Sequence, residues 1–376
     1  MTRTILILTS KTGGGHISLA EALRDRLEAQ HTIEMVDPQS RLIHWHYRIV
    51  SRYALWLWAA EFRLCDTPRT ALLAHRLFTL SVSKALSALL DRTQPELIIT
   101  TYPFLSYEVM HVLQKKCSNI PFVMLFADPN GVHASWLTTH DAAATLAPTR
   151  ETYKQALSVN FPPERVHQVG WPVRSQFYHV KPEQRPMLLA QMGFDPQRFT
   201  VFLQGGGEGA AQFGRTVERV LSIPQIQVIL AAGTNEALLT HFGHGRMPNI
   251  FVLPFTKEIA PYMAVADVIM GKAGPNMLFE AVTLGKPFIA TAYIPGQEEA
   301  NLEFIRRHKL GWVALKPDEQ VALLTKLVSA PQELRSMETN VKAYREWNNQ
   351  QADTIVPVVE SLLSCPTDSN KFRGAP

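Results

Sequence analysis

The sequence predicts an α/β protein of two nucleotide-type domains facing each other across a cleft, and three observations carry this. Near the start, Thr9-Ser10-Lys11-Thr12-Gly13-Gly14-Gly15-His16 joins an apolar run to a helical pattern through three glycines and ends on a histidine. In the second half, Gly271-Lys272-Ala273-Gly274-Pro275-Asn276-Met277-Leu278-Phe279-Glu280 makes the same kind of join, and Pro295-Gly296-Gln297-Glu298 follows it. An alternation of short apolar runs and helical patterns fills each half, with a proline-interrupted stretch between them. One ligand-carrying turn in each half suits a reaction between two bound substrates.

The run 4–9 is apolar and rich in isoleucine, hence a buried strand. Residues 18–30 place Leu19, Ala22, Leu23 and Leu27 at helical spacing, and 32–37 is the next strand. Runs 96–101, 121–128, 142–148 and 166–170 complete the first series. Strands separated by helices long enough to cross over form a parallel sheet covered on both faces. From Trp171-Pro172-Val173-Arg174 to near Pro196 the chain reads as a linker. The alternation restarts at 199–203 and runs through 228–232, 250–253, 268–270 and 287–292, and helical patterns at 317–328, 331–346 and 352–363 close it. The expected divisions are an acceptor domain over 1–170, a donor domain over 171–345, a helix over 346–364 that packs back on the first domain, and a polar tail over 365–376.

At 376 residues the chain is comfortable for two domains, and 46% hydrophobic with 19% charged residues is a globular composition. A net charge of +4 makes no demand for nucleic acid. Cys65, Cys117 and Cys365 are odd in number and lack a CxxC, which argues against a zinc site or a disulfide framework and fits a reducing cytoplasm. The first apolar run passes straight into glycines, unlike a signal peptide, and no apolar stretch reaches the ~20 residues of a membrane span.

Residues 41–92 depart from the α/β rhythm. Trp45, Tyr47, Tyr53, Trp56, Trp58, Phe62 and Phe78 lie among Arg41, Arg48, Arg52, Arg63, Arg69, Arg76, Lys84 and Arg92, opposed only by Glu61, Asp66 and Asp91. Two readings fit. Rings at headgroup depth beside cations are what an interfacial segment uses, with Trp45, Arg48, Arg52, Trp56 and Trp58 as its contacts. Equally, aromatic stripes fill cores, and the segment then packs on the sheet.

The turn Gly13-Gly14-Gly15 leaves no side chains between strand and helix, so backbone amides can meet a ligand closely. His16 stands at the mouth of the sheet, either as a proton acceptor near neutrality or as a structural cap. Gly205-Gly206-Gly207-Glu208-Gly209 repeats the logic in the second half, as a phosphate turn or as a tight turn without a ligand. In the third turn, Lys272 to Asn276, small residues open the helix amides to a diphosphate. Glu280 can accept two ribose hydroxyls at once or stand as a plain helix acid. Gln297 and Glu298 follow a Pro-Gly turn with groups able to grip sugar hydroxyls. No Asp-x-Asp occurs in the chain. Neither a metal nor a cofactor is therefore expected, and helix dipoles with Arg174 and Lys272 carry the leaving-group charge.

Taken in order, Thr12-Gly13-Gly14-Gly15-His16, Gly170-Trp171-Pro172-Val173-Arg174, Gly205-Gly206-Gly207-Glu208-Gly209, Lys272-Ala273-Gly274-Pro275 through Glu280, and Pro295-Gly296-Gln297-Glu298 resemble the monogalactosyldiacylglycerol synthase and diacylglycerol glucosyltransferase family. The wider group includes the peptidoglycan lipid-intermediate N-acetylglucosaminyltransferase. The resemblance implies a GT-B fold of two Rossmann-like domains, a UDP-sugar donor in the second half and a diacylglycerol acceptor at the first. It gives Arg174 the donor diphosphate, Glu280 the ribose, Phe255 and Thr256 the uracil, and Gln297 and Glu298 the sugar, beside Gly206, Gly207, Lys272, Ala273, Gly274, Pro275 and Asn276. It matches His16 to the family's proposed base or diphosphate contact, and Asp128, with His133 and Trp136 downstream, to its acceptor-side stretch.

The implied reaction moves galactose or glucose from the UDP-sugar to diacylglycerol, on an anionic membrane surface at the inner face of the cell membrane, with no nucleic acid involved. Departures from the family pattern are Ile17 where arginine is usual, Gly271 for threonine, Asn276-Met277 for Gly-Thr, and Trp171 for leucine or asparagine. They bear on which sugar is used. A transferase acting on another lipid, a UDP-sugar epimerase and a catalytically silent binding protein of the same fold are the competing readings.

Overall fold

The computed structural model describes residues 2–12, 14–205, 211–243 and 247–364. Gly13, Gly206 and Gly207 lie outside the described residues, as does the tail from 365, and so do the side chains of Arg48 and Arg52. The chain forms two compact units. The first runs from the N-terminus to Arg174, with Pro295–Gln297 and the chain from Asn348 on, and the second holds Ser175–Ile294 and Glu298–Trp347.

In the first unit β1 (Thr4–Leu8), β2 (Thr32–Val36), β3 (Leu97–Thr100), β4 (Phe122–Leu125), β5 (Ala144–Ala147) and β6 (Val166–Gln168) form one sheet in the order β2-β1-β3-β4-β5-β6. Every pairing is parallel. Parallel strands are covered on both faces, which is why Ile5, Leu6, Ile7 and Leu8 run uninterrupted and are all fully buried. The strand order reverses between β1 and β3. In an open α/β sheet that reversal opens a crevice at the carboxyl ends of the strands.

Between β2 and β3 the chain leaves the sheet as three helices, Arg41–Tyr53, Leu55–Leu64 and Pro68–Thr93. Ala54, with φ −141° and ψ 53°, is non-helical and breaks the first from the second. Thr67 starts the third by accepting from Thr70 N at 3.3 Å, with Pro68 in the first helical turn, where its missing N–H costs nothing. The inner face of the third helix buries Ala71, His75, Val82, Leu86 and Leu90. Its outer face exposes Leu73, Leu77 and Leu80, the last 81% exposed. Trp45 and Trp56 are likewise on the surface, Trp56 at 74%. A core role is thus excluded for these two rings, while Ala59 and Val50 of the same helices are buried.

In the second unit β7 (Phe199–Gln204), β8 (Ile226–Gly233), β9 (Ile250–Pro254), β10 (Val268–Lys272), β11 (Phe288–Ala292) and β12 (Gly311–Val313) form a parallel sheet ordered β12-β11-β10-β7-β8-β9. Val201, Leu203, Val217, Val228, Leu230 and Met270 stand at the centre of its core. The order reverses between β7, which ends at Gln204 before Gly205, and β10, which runs into Lys272-Ala273-Gly274. β12, Gly-Trp-Val, is not among the strands read from the sequence.

Helix Pro331–Ala352 begins in the second unit and ends in the first. Asn348, fully buried, accepts from Trp171 N at 2.8 Å and donates to Trp171 O at 3.1 Å. A Cβ at Gly170 would stand 2.0 Å from Asn348 O, so only glycine fits there. Trp171 is therefore a buried anchor for the returning helix, and this departure from the family pattern is a packing feature. The last helix, Ile355–Ser364, is held through His31 Nε2 and Glu360 Oε1 at 2.6 Å.

Candidate active site

The first-unit site is built on the ends of β1, β3 and β4. After β1, Lys11 N donates to Asp37 Oδ2 at 2.6 Å, and Asp37 also accepts from Gln39 N and faces His44 Nε2 at 3.0 Å. The acid that follows β2 thus braces the loop that precedes the first helix, Gly15–Leu27. Gly14 caps this helix without a side chain, and no acidic residue stands in its first turn. The positive end of the helix dipole is not neutralised locally, which suits an anionic or polar ligand.

His16 lies in that first turn. Its Nδ1–H donates to the Thr101 carbonyl at 2.6 Å, just beyond β3, and its ring meets Tyr102 edge-on at 4.9 Å. A carbonyl can only accept, so Nδ1 carries the proton and Nε2 presents a lone pair. The Thr101 hydroxyl lies 3.1 Å from His16 O and ties turn to strand end. Burial pushes the imidazole down to about 4, against the opposing pull of the Thr101 carbonyl. His16 is therefore neutral near pH 7 and acts there as an acceptor.

Asp128 follows β4. Burial raises its carboxyl from 3.8 to about 7, and the charge of Asp66 adds to the rise. Hydrogen bonds from the His133 backbone and the Trp136 side chain oppose it. Trp136 is fully buried, edge-on to Phe126 at 5.6 Å. The loop around Asp128 is pinned from several sides. Thr149 Oγ1 donates to Pro129 O at 2.7 Å, and the Gln155 amide bonds both Val132 N and Val132 O. His133 donates Nε2–H to Phe62 O at 3.0 Å and accepts Ser135 N–H at Nδ1. Both nitrogens of His133 are engaged within the protein, so it is a structural member that joins helix Leu55–Leu64 to the loop. Arg174 belongs to this unit and faces Glu21 at 3.8 Å, on the same helix as His16.

The second-unit site gathers at β10. Ala273 N donates to Ala292 O, and Asn301 Nδ2 donates to Ala273 O, which fixes the turn. Gly274 caps helix Pro275–Thr283 with no side chain and no acid in its first turn. Asn276 lies in that first turn, and Glu280, one turn further in, is buried. Lys272 Nζ pairs with Glu298 Oε1, while Glu298 Oε2 accepts from Ile294 N at 2.9 Å. Glu298 is thus a buried brace of its loop, with both oxygens engaged inside the protein. Gln297 Oε1 accepts from Trp58 Nε1 at 3.2 Å, within the first unit. Phe255, exposed beyond the end of β9, is anchored by its amide on Gly233 O, and Thr256 Oγ1 accepts from Glu258 N. Among the described residues no cluster of His, Cys, Asp and Glu could hold a metal ion.

The structure thus brings His16 and Asp128 to the carboxyl edge of one sheet, and Lys272, Ala273, Gly274, Pro275, Asn276 and Glu280 to that of the other. Thr101, which fixes the His16 tautomer through its backbone, and Gln155, which clamps the Asp128 loop, are not legible in the sequence. Neither sits in a motif, and each acts across a long stretch of chain.

Comparison with known proteins agrees with this geometry. Residues 16–173 match the family model of monogalactosyldiacylglycerol synthase, and residues 200–355 match the C-terminal domain model of glycosyltransferase family 28. A probable monogalactosyldiacylglycerol synthase 2 of Oryza sativa is 28% identical over 343 residues, covering 84% of this chain and 72% of the relative. In fold, the chain resembles a UDP-glucosyltransferase from Polygonum tinctorium with a TM-score of 0.65 at 14% identity, over 97% of this chain and 99% of the other. It also resembles a UDP-GlcNAc 2-epimerase from Neisseria meningitidis, with a TM-score of 0.59 at 14% identity, over 95% and 99%. The fold is GT-B, with two Rossmann-like domains, and the chain joins a monogalactosyldiacylglycerol synthase domain in its first half to a glycosyltransferase family 28 C-terminal domain in its second.

Proposed function

We propose that the protein transfers galactose, or its epimer glucose, from a UDP-sugar to the free hydroxyl of diacylglycerol, giving a monoglycosyldiacylglycerol and UDP. The observation that carries this is the pairing, on one chain matched by both family models, of a buried carboxyl tuned near neutrality with a second-unit helix start suited to a diphosphate. A neutral hydroxyl must lose its proton as it attacks the anomeric carbon, and a base works best with a pKa near the operating pH. Asp128, at about 7, meets that condition. His16, at about 4, holds a proton roughly a thousandfold more weakly.

The assignment that follows makes Asp128 the general base and His16 the group that orients the acceptor hydroxyl by accepting at Nε2. The leaving diphosphate meets the dipole of helix Pro275–Thr283, with Lys272 and Arg174 as cations. Glu280 accepts the ribose hydroxyls, the 255–256 segment takes the uracil, and Gln297 reaches the sugar. Glu298 acts through Lys272.

The acceptor is a lipid, and a surface suited to lipid is present. Leu42, Trp45, Trp56, Leu64, Leu73, Leu77 and Leu80 are exposed on the three helices between β2 and β3. Arg63, Arg69, Arg76 and Lys84 are exposed among them. Leucines between cations on an outward helix face fit an anionic bilayer surface, each cation being worth on the order of 1 kcal/mol there. No helix among the described residues is long and apolar enough to cross a membrane, so attachment is peripheral in this reading, at the cytoplasmic face.

The test is incubation of the purified protein with UDP-galactose or UDP-glucose and diacylglycerol in anionic vesicles, followed by lipid chromatography. A new glycolipid is expected. Interconversion of the sugar nucleotides without a lipid product would identify an epimerase instead, and neither product would point to a silent binding protein. In flotation, Leu73→Glu, Leu77→Glu and Leu80→Glu together should release the folded protein from the vesicles. Retained binding would reject this face as the membrane contact.

A further inference from the structure

A second pair of ionisable side chains lies wholly inside the first unit, and the chemistry above does not use it. His75, on the inner face of helix Pro68–Thr93, and Glu108, on helix Ser106–Lys115, are both fully buried. His75 Nδ1 lies 2.9 Å from Glu108 Oε1. His75 Nε2–H donates to the carbonyl of Ser135 at 2.9 Å. The Ser106 hydroxyl stands 3.3 Å from the same carbonyl, and Phe104 and Tyr107 wall the imidazole at 5.1 and 5.6 Å.

Ser135 sits between the two residues on which Asp128 rests. Its amide donates to His133 Nδ1 at 3.2 Å and its hydroxyl is 2.7 Å from the same atom. His133 offers its own backbone to Asp128, and Trp136, the next residue, offers its indole. One residue, Ser135, is therefore tied to both donors, to His133 through its amide and hydroxyl and to Trp136 through the peptide its carbonyl begins. A buried imidazole holds the Ser135 carbonyl, and a buried carboxyl sets the tautomer of the imidazole.

We propose that His75, held by Glu108, is a positioning residue for Asp128, fixing the Ser135 peptide and through it the His133 and Trp136 donors that hold the catalytic carboxyl. This rests on the reading of Asp128 as the base. The cost of keeping such a pair buried is consistent with a positioning role, because an apolar pair of similar volume would serve the core as well or better. The same helix presents Leu73, Leu77 and Leu80 to the outside, so the element that meets lipid also carries the support of the base.

The groups facing this pair are few. Glu108 faces His75, and burial pushes its carboxyl up against the pull of that imidazole. His133 is the next titratable group, with Asp66 beyond it at 3.7 Å from His133 Nε2. Asp128 in turn feels Asp66.

The experiment replaces the pair together, His75→Leu with Glu108→Met, so that no lone charge stays buried. Two readouts are taken on wild type and variant. The first is steady-state transfer, where kcat should fall about tenfold while the affinity for UDP, measured by calorimetry, stays unchanged. The second needs no activity. With 15N-indole tryptophan, the Trp136 resonance, assigned by its loss in Trp136→Phe, should titrate in wild type with the Asp128 carboxyl. That titration should shrink by at least half in the variant. A purely structural pair would change stability and leave both the kcat against affinity split and the indole titration untouched. If the double variant does not fold, Glu108→Leu, which leaves His75 neutral with its tautomer unset, is read in the same two ways. A folded variant with wild-type kcat and wild-type indole titration would overturn the proposal. Should wild type make no glycolipid, the proposed function fails and the indole titration still decides whether His75 positions Asp128.

Discussion

Replacing Asp128 with asparagine should make the protein inactive and, above neutral pH, more stable. The carboxyl rises from 3.8 to about 7 on folding because it is buried and faces Asp66. Ionising it therefore costs the native state about 4 kcal/mol more than the unfolded chain, at about 1.4 kcal/mol per pH unit. Asp128 retains some solvent, and asparagine keeps one acceptor oxygen for the two donors, so a net gain of about 1–3 kcal/mol is the realistic expectation. The sign follows from proton binding. A group whose folded pKa is raised holds more protons in the native state between its two values, so its stabilising contribution is complete below about 4 and is lost as pH climbs to about 7. The asparagine of the variant does not titrate.

The stability gap between Asp128→Asn and wild type should thus be at its minimum below about pH 4, grow steadily up to neutrality and level off by about pH 8. Urea unfolding of both proteins at several pH values reads this directly, since other titrating groups cancel in the difference. Turnover of the variant should fall by about 10²- to 10⁴-fold, the usual share of a positioned base. A gap that does not change with pH refutes the buried, elevated carboxyl. Wild-type turnover refutes its role as base and returns that role to His16.

Three further outcomes are expected. Glu280→Ala should weaken UDP binding by about 1–3 kcal/mol, since two ribose hydroxyls lose a charged acceptor, and calorimetry with unchanged affinity would remove it from the ribose site. Activity should survive excess chelator, because the chain lacks an Asp-x-Asp and the donor site is built on a helix start; loss restored by magnesium or manganese would contradict this. Gly271→Thr should destabilise the second unit by about 1–3 kcal/mol. An added Cβ there would lie 2.6 Å from Gln204 O and 2.9 Å from the Met277 sulfur. Met277→Thr should recover part of that loss in urea midpoints, whereas equal midpoints for Gly271→Thr and wild type would show that the strand accommodates the side chain.

That last pair shows how the chain departs from its family. Gly271 and Met277 read in sequence as two separate differences beside the donor site. In the structure they are one, a missing side chain on β10 whose space Met277 fills. The central strands, such as β1, β3 and β4, are legible because parallel strands buried on both faces leave a compositional trace. The strand-to-helix joins at Gly14 and Gly274 are legible because a glycine between an apolar run and a helical pattern marks where the helix starts. What stays hidden depends on contacts remote in sequence. Glu298 reads as a sugar ligand by position, yet Lys272 and Ile294 N occupy its oxygens. His133 reads only as a member of the stretch after Asp128, and Phe62 O and Ser135 N claim both its nitrogens. His75 and Glu108 form no motif at all. They stand 33 residues apart on two helices and meet only because those helices pack together.

The return of the chain to the first unit at Asn348 sets a timetable for the protein's birth. Residues 175–294 and 298–347, nearly contiguous, hold all six strands of the second sheet and are complete when the ribosome reaches Trp347. The first unit begins earlier and finishes later. Its six strands have emerged by Gln168, yet the backbone of Trp171 has no Asn348 to bond and the slot over Gly170 stays empty until the last helices follow. At about 5–20 residues per second, translating the intervening ~170 residues takes about 10–35 s. Over that interval the Trp171 backbone lacks its Asn348 partner, while Leu73, Leu77 and Leu80 already lie on the outer face of their helix. The first unit is therefore closed only after the second has been synthesised, an order of assembly that refolding of the finished chain does not impose.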